Sequence, residues 1–166
     1  TGFTIIEVVL VLAIAALIFL IVFLAVPALQ RSQRDTQRRS DVTRLSAALS
    51  NYIGNHGGSL PTITSANAAQ WVFINVRASR VSDRFEDPRG NTTYYSAVSN
   101  GTQYNVTVDT TATTTAPVYS ATNNPISIRF GQVCDPNGVT STVGAGSRSY
   151  AVVMALESGD TACSSR

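Results

Sequence analysis

Residues 2–29 read GFTIIEVVLVLAIAALIFLIVFLAVPAL, and this stretch decides the architecture. From Val8 to Val26 all 19 residues are apolar. That is near the minimum length that spans a bilayer as a helix, roughly 30 Å. It is too long for the apolar core of a cleaved secretory signal, and no small-residue cleavage pattern follows it. A plain membrane anchor is the simplest reading, but two features do not fit it. Glu7 sits inside the apolar run behind Ile5 and Ile6, where a carboxylate is costly unless it reaches the interface or meets a cation. The run also continues into an amphipathic stretch with no linker.

Past Pro27, apolar or small residues recur at Ala28, Leu29, Val42, Leu45, Ala48, Leu49, Tyr52 and Ile53. From Val42 onward their spacing is that of a helix stripe. Charges and amides, among them Arg31, Arg34, Asp35, Arg38, Arg39 and Asp41, fill the stretch between. Gly54 is a C-terminal stop signal. The pattern predicts one helix over about 4–53, roughly 75 Å long, kinked or locally opened at Pro27. Three regions follow: a hydrophobic segment over 1–29, the amphipathic half of the same helix over 30–54, and a head over 55–166.

Hydrophobic residues make up 44% of the chain and charged residues 13%, and the hydrophobicity is spread unevenly, concentrated in the Val8–Val26 run, which excludes a simple soluble cytoplasmic enzyme. Plentiful aromatic and β-branched residues exclude a disordered chain. All 12 basic residues are Arg; with no Lys, covalent joining of copies through Lys isopeptide bonds is excluded. Five of these Arg and two Asp lie in 31–44, while 45–166 is neutral, so no broad basic face argues for nucleic acid as the main partner. The Arg run is expected to form a solvated or inter-subunit helix face. Cys134 and Cys163 lack metal-ligand spacing, and the lone His56 is far away in sequence. A disulfide is the simpler reading and implies an oxidising, extracytoplasmic setting; two buried thiols are the other. The positive-inside rule would put 31–44 in the cytoplasm, against the cysteine pair. The cysteine reading is preferred.

The start Gly2-Phe3-Thr4-Ile5-Ile6-Glu7, ahead of a hydrophobic helix, resembles the N-terminal motif of type IV pilins. The resemblance implies cleavage between Gly2 and Phe3 by a prepilin peptidase, with N-methylation of Phe3. It also implies that Glu7 pairs with the Phe3 amine of a neighbouring subunit, which makes a buried carboxylate tolerable. Thr1 lies upstream of that cut, so the sequence carries precursor residues or processing differs.

In the head, Gly57-Gly58-Ser59-Leu60-Pro61 reads as a loop. Ser65 is a candidate cap for a short helix through Val76, with Trp71, Val72 and Val76 inward; a strand is the alternative. Phe85–Gly90 reads as a turn. Tyr95 and Ala97, then Tyr104, Val106 and Val108, alternate around Asn100-Gly101 and predict a hairpin. Further strands are expected at 126–130 and 150–156, the latter central. The fold class is α+β, a long helix whose second half packs on an antiparallel sheet. That outline is similar to pilins, as are Asp87-Pro88-Arg89-Gly90 with Tyr94-Tyr95, and the ending Leu156–Gly159 with Cys163.

Other chemistries find little support. Sequons at Asn91, Asn100 and Asn105 are candidate glycosylation sites in a Thr-rich stretch where such triplets also arise by composition. Asp83, Glu86, Asp87, Asp135, Glu157 and Asp160 supply oxygens for calcium, but without EF-hand spacing a solvated surface is the preferred reading. His56 has no nucleophile motif near it, and no catalytic or phosphate-binding motif occurs, so no enzymatic role, metal or cofactor is expected.

The expectation is a structural subunit of a helical type IV pilus filament at the cell surface, held in the cytoplasmic membrane before assembly. Its partners would be copies of itself, other pilins, the prepilin peptidase and the pilus assembly machinery. The alternatives are a pseudopilin of a type II secretion or DNA-uptake system, and a membrane-anchored binding module that never assembles.

Overall fold

Helix-forming residues run from Ile5 to Asn55 with a single interior Pro, and they form one 51-residue helix, α1, in the computed structural model. The structure describes residues 2–64, 66–76, 85, 87–89, 106–109, 115–121, 124–137, 141–143, 146 and 148–166. α1 is continuous through Pro27 and also through Gly54, the expected stop. It ends instead at Asn55, and the chain turns away at Gly57, whose φ of 63° is left-handed. There the Gly58 N–H donates to the Ile53 carbonyl at 2.8 Å, closing the helix in a Schellman turn. Gly54 lacks that role because the chain does not reverse there.

The chain divides into two compact units, Thr1–Gln33 and Arg34–Arg166. In the first, every described residue is exposed except the half-buried Ala15. This helix is long and apolar enough to cross a membrane.

In the second unit α1 presents Val42, Leu45, Leu49 and Ile53 to a core shared with a mixed sheet. The remaining elements are α2 (Ala68–Asn75), β1 (Val106–Asp109), β2 (Ile126–Phe130), β3 (Gln132–Cys134), β4 (Ser141–Val143), β5 (Tyr150–Ala155) and β6 (Thr161–Ser165). The main sheet has the order β1-β2-β5-β6, and β3-β4 form a separate hairpin. Tyr150, Val152, Met154 and Leu156 alternate into the core beside Ile126 and Ile128. β5 is buried at all six positions, as its apolar run predicts. Fully burying one such aliphatic side chain contributes about 1.5–3 kcal/mol.

The sheet is not wholly antiparallel. β1 pairs parallel to β2, from Val106↔Ile126 to Asp109↔Arg129, whereas β2, β5 and β6 pair antiparallel. The long connection over 110–125 permits this, since a parallel return needs about a dozen residues or more. The Asn100-Gly101 turn and the Tyr95–Ala97 strand lie outside the described residues. α2 starts at Ala68, with Asn67 at its N-cap; the Asn67 side chain makes no cap bond to the helix but accepts the Thr64 N–H of the preceding loop at 2.7 Å. Ser65, the expected cap, lies outside the described residues. Val72 and Val76 are buried and Trp71 is half-buried.

Cys134 and Cys163 form a disulfide, Cα–Cα 5.8 Å, that ties β3 to the edge strand β6. A loop of this size stabilises by about 3–4 kcal/mol in the chain-entropy account.

Candidate functional site

Among the described residues two places carry chemistry, one in each unit. In the first, the Thr4 backbone N–H donates to Glu7 Oε2 at 2.8 Å, and the Thr4 hydroxyl donates to the same oxygen at 2.7 Å. The Glu7 N–H returns a longer bond to Thr4 Oγ1 at 3.4 Å. This is a reciprocal capping box that satisfies otherwise orphaned helix N–H groups. The spacing Thr4-x-x-Glu7 is its sequence signature. Glu7 therefore has a local task whatever it meets elsewhere. Gly2 and Phe3 precede the cap, and Phe3 is 90% exposed. Pro27 is exposed within α1.

In the second unit the Arg run corrects the sequence expectation. Arg38 is fully buried, not solvated. Its Nε and one terminal nitrogen clasp Asp87 at 3.1 and 3.0 Å, a bidentate fork. Its other terminal nitrogen donates to Asp35 and to Glu157, each at 2.9 Å. Arg34 clasps Glu157 from the next turn of α1 at 2.7 and 2.8 Å, and Arg89 reaches it at 3.3 Å. Tyr119 lies beneath Arg38 and Arg89, its ring centroid 5.2 and 5.9 Å from their guanidinium carbons. Three guanidiniums thus meet three carboxylates, and the cluster is neutral.

Three segments distant in sequence build this cluster. α1 places Arg34, Asp35 and Arg38 on successive turns of one face. Asp87 sits in a turn where its side chain also accepts the Arg89 N–H at 2.9 Å. Glu157 opens the β5–β6 turn, which Gly159 completes at a φ of 91°. The Asp35 carboxylate holds that turn by accepting the Glu157 and Ser158 N–H groups at 2.9 and 3.0 Å. Hydrogen bonds from Arg34 hold the Glu157 carboxyl down at about 2, burial opposing and Arg38 assisting.

Arg39 and Asp160 meet more loosely at 3.7 Å, with both side chains exposed. Arg44 lies 3.6 Å from Asp41. The positive run over 31–44 is therefore largely balanced once the head folds. Asp87 and Glu157, candidate calcium ligands, are engaged by arginine. Among the described residues no group of three His, Cys, Asp or Glu is placed to hold a metal. Asp83, Glu86 and the sequon residues Asn91, Asn100 and Asn105 lie outside the described residues. The His56 ring stacks on Tyr52 at 3.8 Å, with Nδ1 2.8 Å from the Tyr52 carbonyl oxygen, a packing arrangement.

No protein-family model matches the chain, and neither does any curated protein or solved structure.

Proposed function

We propose that this chain is a pilin-like structural subunit that assembles through its N-terminal helix into a filament. The observation that carries the reading is the Gly2–Glu7 motif at the head of a helix whose apolar residues, from Ile5 to Val26, stand almost wholly exposed. An exposed apolar surface of this length requires a bilayer or other apolar helices around it. Passing from membrane to filament core trades one apolar environment for another. A contact between an N-terminal amine and the next subunit's Glu7 is heterologous and does not close, so it propagates as an open helix. The disulfide in the head agrees with an extracytoplasmic location.

A second reading is a membrane-anchored module that stays unassembled. The Thr4–Glu7 capping box favours it, because the carboxylate is then satisfied without a neighbour. Glu7→Gln separates the two. Gln retains the capping acceptor and removes the charge. The filament reading expects the protein to remain in the membrane while surface filaments fall at least tenfold. Undiminished filaments would contradict the amine pairing. Absence of filaments from the unaltered protein too would favour the anchor.

A further inference from the structure

We infer that the Arg38 cluster selects the register in which the second half of α1 seats on the sheet. The apolar stripe does not define that register alone. Leu45, Leu49 and Ile53 follow one another at intervals of four residues. A slide of one helical turn puts Leu49 where Leu45 sits and Ile53 where Leu49 sits, apolar for apolar at the two innermost positions, and leaves the place of Ile53 to Gly57 just past the helix end. Ser46, already buried, takes the place of Val42. Four-residue rows are the natural ridges of helix packing, so this slide is the natural competitor.

The charged end refuses the same slide. Val42 would replace Arg38 between Asp87 and Glu157, taking away the guanidinium that both carboxylates share. Arg39 would replace Asp35 beneath the Glu157 and Ser158 N–H groups, so two donors would face a cation. The opposite slide fails at once, since it puts Asp41 into the place of Leu45 and Arg38 into that of Val42. Holding a register is the best-attested use of a buried ionic group, and a planar fork clasping Asp87 from two nitrogens tolerates little displacement. The native seating is marked further along the helix, where the Tyr150 hydroxyl donates to the Ser46 carbonyl at 2.7 Å.

The test is nuclear magnetic resonance on the full chain in detergent micelles, reading which α1 residue the Tyr150 ring touches. The unaltered protein should show one set of Tyr150 signals, with the hydroxyl end of the ring against Ser46 and not Ser50. In Arg38→Met/Asp87→Asn/Glu157→Gln the charges are gone, and a second set of Tyr150 signals should appear, touching Ser50, in at least a tenth of the molecules. A single set touching Ser46 overturns the inference. Should this variant not fold, Arg38→Val with Val42→Arg decides, because it moves the guanidinium by one turn. Transfer of the Tyr150 contact to Ser50 supports the register role; retention at Ser46 overturns it. Failure of both variants to fold also overturns it, because the cluster would then supply stability and not selection.

Discussion

Up to Gln33, α1 exposes Leu, Ile, Val and Phe on every side; from Arg34 onward the same helix buries an arginine and two aspartates. The backbone is alike in both units, so the difference lies in what surrounds it. The first unit has no core of its own, and its apolar surface is a demand for an outside solvent or partner. The second satisfies its demands internally, even for a guanidinium. A large contiguous exposed apolar surface and a buried charged group are each uncommon alone. Together on one helix they separate the part whose apolar surface stands exposed from the part that holds the head.

The largest break in this comparison comes from removing one member of the buried cluster. Arg38→Ala leaves Asp35, Asp87 and Glu157 without their shared cation and should cost about 3–5 kcal/mol. Arg31→Ala, at an exposed position in the first unit, should stay within about 0.5 kcal/mol. Thermal or denaturant unfolding of the head, followed by circular dichroism, reads both. Equal effects would mean that Arg38 is not held as described.

A matched pair of leucines sharpens the same contrast. Leu49→Ala empties a fully buried site and should cost about 2–5 kcal/mol. Leu17→Ala, exposed in the first unit, should leave head unfolding unchanged.

Acid should separate the units next. Glu157 titrates at about 2 in the folded head against an ordinary 4.5. Its contribution is therefore complete above pH 4.5 and is lost as pH falls toward 2. Head stability should drop by on the order of 2–3 kcal/mol across that window, and Glu157→Gln should flatten the drop. A profile with the same slope in both proteins would remove Glu157 as its source. The smallest effect belongs to Arg39→Ala, an exposed pair worth about 0–1 kcal/mol, and raised salt should abolish it.

Much of the scaffold was legible from residue pattern. The apolar run and the Val42–Ile53 stripe locate α1 almost to its ends, and the alternating Ile126–Phe130 and the apolar Tyr150–Ala155 locate β2 and β5. The disulfide followed from two cysteines without metal spacing. What escaped depends on contacts between distant residues. A parallel β1–β2 pair leaves no local signature, because pairing direction is set by the path of the connection. β3, β4 and β6 are short and rich in Thr, Ser and Cys, with no period to read. The Arg38 cluster was hidden because Asp87 and Glu157 lie far along the chain from α1. Its one local trace was the pairing of Arg34, Asp35 and Arg38 on a single face, which a solvated helix shares. The capping box at Thr4 and Glu7 was readable, but it lay under the pilin-like motif that uses the same residues.

The proposed function requires the first unit to leave the membrane and assemble. Intact mass and N-terminal sequencing of material sheared from the cell surface test it most directly. The account predicts abundant protein beginning at N-methylated Phe3, with the disulfide intact. Protein confined to the membrane fraction and still carrying Gly2 would contradict it.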